Sequence, residues 1–219
     1  MYMYIVIVGA SGIGKRLTEL ALSEKHHNVV VIDKNEERCE YVARKFDAIA
    51  INADATQEET LDELDVKKAD VLIATTTDDA TNLLVVSLAK NRGVKNLIAV
   101  VNQEESKPLY IEKGVKIINK PDIVVAEMIY TSIKHPTIEG FLNVDDYAEV
   151  VRLPLLPKSS FDRKTITDIW VHHKSLVVAI ERKDRFIIPT DDLTLHEGDI
   201  VTIIVEKDRI DKVVNMFSE

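Results

Sequence analysis

Residues 5–17 read IVIVGASGIGKRL: four apolar residues, a cluster of glycines, then a lysine and an arginine. An unbroken apolar run of this length suits a strand buried on both faces, as in a parallel sheet. A glycine turn between such a strand and a helix is where a dinucleotide-binding motif, G-x-G-x-x-G, would stand. Gly9 and Gly14 are in register with that motif. Ser11 holds the middle glycine position, and Gly12 comes one place late. The stretch alone leaves three readings open: a dinucleotide loop, the loop of another nucleotide, or a tight turn with no ligand.

The residues that follow repeat the theme. Apolar runs at 3–8, 28–33, 48–52, 69–75, 96–101 and 115–119 alternate with helical patterns at 13–24, 35–46, 57–65, 78–93, 106–114 and 122–134. Asn35 is placed to cap the second helix, and Gly93 and Gly114 to stop the fourth and fifth. This alternation predicts an α/β fold, a Rossmann-like doubly wound parallel sheet over residues 1–134. The pattern changes at 135–147, HPTIEGFLNVDDY, which reads as a hinge. Residues 148–219 then carry β-rich runs at 148–155, 175–189 and 199–207 and a closing helix at 209–217. The middle run reads as a hairpin turning at Arg182-Lys183-Asp184-Arg185. This predicts a small α+β domain, whose core is short enough to lean on a partner surface.

Composition bounds the function. The chain has 219 residues, a net charge of -9, 46% hydrophobic and 30% charged residues, which describes a globular protein. The acidic balance argues against a nucleic-acid partner. Cys39 is the only cysteine, so no intrachain disulfide forms, as suits a reducing compartment. No apolar run approaches a membrane span and no leader pattern opens the chain. The expectation is a cytoplasmic protein, peripheral to any membrane through a partner and without insertion of its own.

Polar groups gather at the strand ends. Asp33 stands 24 residues after Gly9, at the end of the second strand, where a carboxylate grips ribose hydroxyls; the alternative is a cap on the next helix. It favours NAD or an adenine nucleotide over NADP, although Lys34 beside it tempers that preference. Asp54, before Ala55, either reaches an adenine edge or caps. Thr75, Thr76 and Thr77, with Asp78, Asp79 and Asn82, crowd the end of the fourth strand, and Asp78 also suits the cap of the helix that follows. No metal-ligand spacing is found among His26, His27, His135, His172, His173 and His196, and no metal site is expected. Trp170 reads as a core or dimer anchor. Ile123, Ala126, Ile129, Tyr130 and Ile133 give the helix at 122–134 an apolar surface for a sheet or a dimer.

Taken together, IVIVGASGIG, VVVIDKNEERCE, INADATQEETLDELDVKKADVLIATTTDDATNLLVVSLAK and NLIAVVNQEESKPLYIEKGVKIINKPDIVVAEMI resemble the N-terminal half of a TrkA/KtrA-type RCK protein, a regulator of potassium conductance. The second half is similar to the RCK C-terminal domain, with its signature at Pro189, Asp192, Leu195, Gly198 and Asp199. The resemblance implies a subunit that binds NAD(H) or ATP, ADP or AMP. It implies homodimers that assemble into a ring, usually of eight RCK domains, which gates a separate membrane potassium transporter or channel. The family's nucleotide residues map onto the glycine turn (Gly9, Ser11, Gly12, Gly14), onto Asp33 and Lys34, onto Asp54 and Ala55, and onto Thr75 and Thr76. Asn82 matches a family asparagine with a structural role. Two departures stand out. Ser11 replaces a glycine, and Val100 stands where many relatives carry an arginine facing phosphate; Lys15 or Arg16 would have to replace that charge, or else they point to solvent. Asp122 either caps its helix or takes the place of a divalent-ion ligand.

A short-chain dehydrogenase is the rival reading. Tyr41…Lys45 and Tyr130…Lys134 both give its Y-x-x-x-K pair, which lowers a tyrosine pKa for proton donation. That family's glycine spacing, G-x-x-x-G-x-G, has one residue more than this loop, and neither tyrosine falls where a nicotinamide would lie. No enzyme activity is expected. A second rival, a free nucleotide sensor with no channel, would carry the same sequence features.

Overall fold

The computed structural model describes residues 2–24, 26–46, 48–144, 147–173 and 175–218. The side chains of Trp170, His172 and His173 lie outside the described residues. The chain divides into two compact units, Met1–Asp122 and Ile123–Glu219.

The first unit is built on six strands: β1 (Met3–Val8), β2 (His27–Asp33), β3 (Ile49–Asn52), β4 (Val71–Ala74), β5 (Leu97–Val101) and β6 (Lys116–Asn119). They pair in parallel in the order β3-β2-β1-β4-β5-β6. The connecting helices are α1 (Gly12–Ser23), α2 (Glu36–Phe46), α3 (Glu58–Glu63), α4 (Asp79–Asn91) and α5 (Lys107–Glu112). The apolar runs are continuous because both sheet faces are covered. Val6, Val8 and Ile32 pack with Leu61, Val85 and Tyr110 of the α3–α5 layer. Ile5, Ile7 and Val31 pack on the other face with Val42, Leu17 and Ala21 of α1 and α2. That second layer stops short. Ile73, Ile98 and Ile118, on β4, β5 and β6, border a groove of about 630 Å³ with Leu17 and Leu20 of α1.

The second unit contains most of α6 (Pro121–Lys134), then β7 (Gly140–Asn143), β8 (Ala148–Pro154), α7 (Ile166–His173), β9 (Leu176–Arg182), β10 (Arg185–Ile187), β11 (Ile200–Glu206) and α8 (Ile210–Ser218). Its sheet is antiparallel, in the order β10-β9-β11-β8-β7. β8 and β11 bury alternate residues, Val151 and Leu153 against Val201, Ile203 and Val205. That face meets Ile166 and Ile169 of α7 and Val213, Val214 and Phe217 of α8. The β9–β10 turn falls at Lys183 and Asp184, both at positive φ, 52° and 60°, as a two-residue hairpin turn requires.

Three features depart from the sequence reading. The segment 135–147 contains β7, paired with β8 through Phe141 and Leu142, with Ile138 and Phe141 against the core; four residues between a glycine and acids are too few for alternation to register. Helix α7 went unread because its β-branched residues look strand-like. Helix α6, read with the first domain, goes almost wholly with the second unit: Lys134 Nζ is 2.6 Å from Asp211 Oδ1 of α8, and Asn143 Nδ2 donates to Glu127 Oε2 at 3.1 Å. It buries none of its residues, Ile123, Ala126, Ile129, Tyr130 and Ile133 among them.

Candidate functional site

The strand order reverses between β1 and β4, and open α/β sheets bind ligands beyond the carboxyl ends at such a reversal. A cleft of about 230 Å³ opens there. Its floor is the β1–α1 turn. Gly9 has φ +105°, and its N–H donates to Ile32 O at 2.8 Å, tying the turn to β2. A Cβ on Gly14 would lie 1.8 Å from Gly9 O, so only glycine lets α1 start this close to the strand. Ser11 is the N-cap residue of α1, but its side chain makes no capping bond, and the first turn holds no acid. The Gly14 N–H is taken by Ser11 O at 2.9 Å, which leaves the Gly12 and Ile13 amides and the positive helix end for an anion.

Asp33 forms one wall. Its Oδ2 accepts the Ala10 N–H at 2.7 Å and its Oδ1 the Asn35 N–H at 2.8 Å. The cap of α2 is Asn35, whose Oδ1 accepts the Arg38 N–H at 2.9 Å. The carboxylate of Asp33 thus holds the glycine turn against the end of β2, and Arg38 approaches it at 3.8 Å. Cys39 lies just behind. Its buried Sγ donates 3.4 Å hydrogen bonds toward Asp33 O and Ile51 O, and burial pushes the thiol up, away from reactivity.

The end of β3 supplies the next wall. Burial pushes the Asp54 carboxyl up, but bonds from the Thr56 hydroxyl at 2.6 Å and N–H at 2.9 Å, with the Lys34 ammonium at 3.0 Å, outweigh it and hold the group at about 2. Ala55, buried in the core, also borders the cleft.

The β4 side is a scaffold of side-chain bonds. Thr75 Oγ1 lies 3.0 Å from Val8 O and 3.3 Å from Gly9 O and stitches β4 to β1. Asn82 is fully buried. Its Oδ1 accepts the Thr76 N–H and hydroxyl at 3.1 and 2.6 Å, and its Nδ2 donates to Thr76 O and Val100 O at 2.9 and 3.0 Å. Asp78 caps α4 through the Thr81 N–H and hydroxyl, which hold its carboxyl below the usual range. Asp79 turns inward to accept from the Asn102 and Gln103 N–H groups.

Seven of the ten residues singled out in the sequence border the cleft: Gly9, Ser11, Asp33, Lys34, Asp54, Ala55 and Thr76. Gly14 lies beneath the turn as a packing residue, while Gly12 and Thr75 border the apolar groove on the far side of it. Thr77, the third threonine at the end of the fourth strand, borders the cleft too, as do Arg38 and Thr81, which were not singled out; Arg38, one helical turn beyond the Asp33 strand end, was the readable one. Lys15 does not reach the cleft. Its Nζ sits 5.3 Å from the centre of the Tyr41 ring. Arg16 pairs with Glu19 and borders the groove, as does Val100. Neither Y-x-x-x-K pair borders the cleft, and Lys134 is engaged by Asp211. Asp122 is exposed in the first turn of α6. Among the described residues no three His, Cys, Asp or Glu side chains converge as a metal site, and no helix is long and apolar enough to cross a membrane.

Known proteins share this architecture. The TrkA-N domain model matches residues 5–121 and the TrkA-C domain model residues 150–218. A Trk system potassium uptake protein TrkA homolog of Methanothermobacter thermautotrophicus is 27% identical over 99% of this chain and all of its own length. One from Archaeoglobus fulgidus is 30% identical over 98% of this chain, which spans half of that relative. Among solved structures, the GsuK channel bound to NAD superposes with a TM-score of 0.65 at 19% identity, over the whole of this chain and 40% of that one. The AMP-bound Kef C-terminal domain of Shewanella denitrificans gives 0.50 at 16%, over 60% of this chain and 80% of that one. These two likenesses are of fold. With a TrkA-N domain over more than half its length and a TrkA-C domain after it, the chain belongs to the TrkA family of RCK proteins.

Proposed function

We propose that this chain is a cytoplasmic, nucleotide-binding regulatory subunit of potassium transport, which gates a membrane potassium transporter or channel from outside the bilayer. Its effector is NAD(H) or an adenine nucleotide, bound in the cleft between the glycine turn and Asp33. Adenosine ribose is held by Asp33, the adenine edge lies by Lys34, Asp54 and Ala55, and phosphate takes the open amides at Ser11 and Gly12, with Thr76 on the β4 side. One observation carries this reading. The Asp33 carboxylate is fixed by two N–H groups beside an uncapped helix start, at the reversal of a TrkA-N sheet. The nucleotide acts as an effector, not as a cosubstrate, a reading supported by the TrkA-N and TrkA-C domains. An effector moves a gate only by binding its two states unequally. The chain works as a homodimer within a ring of RCK domains, an octamer in the family pattern, and contacts no nucleic acid.

The test is calorimetry on protein stripped of nucleotide, with size measured in parallel. Micromolar binding of an adenine nucleotide to a dimer or larger assembly supports the reading. A monomer that binds none refutes it.

A further inference from the structure

The charges around the cleft carry the identity of the ligand further, on the basis of the nucleotide reading above. Two of its bordering residues are basic, Lys34 and Arg38. Both stand at the Asp33 end and both already face carboxylates, Asp54 at 3.0 Å and Asp33 at 3.8 Å. At the glycine turn, where phosphate belongs, the nearby basic side chains of α1 are turned elsewhere: Lys15 lies over Tyr41 and Arg16 against Glu19. Val100, which borders the groove behind Gly12 and Thr75, is apolar. On the opposite lip Asp78 is held ionised by Thr81. Three carboxylates thus border the cleft against two engaged cations. What remains for phosphate is the open helix end, equivalent to about half a positive charge. That suits a phosphate monoester or a pyrophosphate diester and leaves a longer polyphosphate tail uncompensated beside Asp78.

We propose that the cleft selects among adenine nucleotides by the charge of the tail, taking AMP and NAD(H) and rejecting ADP and ATP. NAD(H) carries one charge per phosphorus on its pyrophosphate, and AMP two in all; ATP adds two more than AMP, and both basic side chains bordering the cleft already face carboxylates. Asp78 is the residue that sets the discrimination. A carboxylate roughly 8 Å from two extra charges in a water-like medium accounts for about fivefold in affinity.

The experiment is titration calorimetry of the full, nucleotide-stripped chain with AMP, NAD, ADP and ATP in buffer containing a chelator. AMP and NAD are expected to bind tightest, with ADP weaker and ATP about tenfold weaker than AMP. Raising the ionic strength from roughly 0.05 to 0.5 M shortens the screening length and should close the gap. Asp78→Asn keeps a competent helix cap and should narrow the ATP-to-AMP ratio about fivefold at low salt. ATP binding as tightly as AMP, or a gap indifferent to salt and to Asp78→Asn, overturns the proposal. Binding of none of the four overturns the nucleotide reading itself, and the charge rule with it.

Discussion

Gly14 offers the sharpest test of how the glycine turn is built. A methyl group there would sit 1.8 Å from Gly9 O, 2.6 Å from Thr75 Oγ1 and 2.9 Å from the Gly9 carbonyl carbon. Ordinary contact needs the turn or the helix to retreat by roughly 1.5 Å. Gly14→Ala gains about 1 kcal/mol of helix propensity. Against it stand about 3 kcal/mol of overpacking in a close-packed turn and about 1 kcal/mol for loosening the Thr75 hydrogen bond that joins β4 to β1. The net loss is about 3 kcal/mol. Gly12 is the control. A Cβ there meets nothing within 4 Å, but the residue has φ +44°, so Gly12→Ala costs only about 1 kcal/mol of left-handed strain. For a unit of this size 1 kcal/mol moves the midpoint by roughly 4 °C. Calorimetric melting of the full chain should therefore show the first-unit transition lowered by about 12 °C in Gly14→Ala and about 4 °C in Gly12→Ala. Equal midpoints in the two variants would refute the steric account of the turn.

Three further outcomes follow from single side chains. Asp33→Ala strips the acceptor from the Ala10 and Asn35 N–H groups and should cost about 2 kcal/mol of stability and at least about tenfold in nucleotide affinity; unchanged affinity in a folded variant would remove Asp33 from the site. The Asp54 carboxyl, lowered from 3.8 to about 2, contributes stability that is fully present above 3.8 and lost as pH falls through about 2. Thr56→Val raises that group, so urea midpoints measured from neutral pH down to pH about 2 should show a smaller acid loss than in the unmodified chain, and parallel curves would contradict the assignment. Arg182 makes two 2.7 Å bonds to Asp199, whose side chain is 2% exposed. Arg182→Met leaves that buried acid with the His196 N–H and should destabilise the second unit by about 3 kcal/mol, read by its melting transition.

The parallel sheet was legible because burial on both faces leaves uninterrupted apolar runs, and the glycines and Asn35 punctuate them. Asp33 was legible by position, since a strand end facing a glycine turn is set by the repeat of the fold. Its double bond to Ala10 and Asn35 was not, because it depends on the β1–β2 register that places Val8 opposite Ile32. Gly14 and Thr75 show a different limit: a motif position looks the same whether it touches a ligand or makes room for the backbone. Asn82 was visible as a polar residue on an apolar helix, and only its burial shows it bracing Thr76 and Val100. In the second unit β7 and α7 escaped, the first because it is four residues long, the second because tertiary packing overrides the strand preference of its Ile and Val.

The proposed oligomer can be weighed by what one chain leaves open. Helix α6 exposes Ile123, Val125, Ile129, Tyr130 and Ile133, the last three at 58%, 67% and 70%. Burying one such half-exposed side chain is worth about 1 kcal/mol, so five on each of two copies yield about 10 kcal/mol. Association costs about 4–15 kcal/mol, so this helix alone roughly balances it. The surplus for a stable dimer has to come from other surface, and the groove edged by Ile13, Leu20 and Ile118, each about half exposed, is the apolar area at hand. A system this close to balance is sensitive to small losses. Ile129→Asp with Ile133→Asp changes two exposed positions, 58% and 70%, so circular dichroism and the melting of the second unit should stay unchanged. The same double substitution removes about 4 kcal/mol from a dimer and adds like charges across it, so light scattering should show the mass falling to that of a single chain. An unchanged mass would show that α6 takes no part in the assembly.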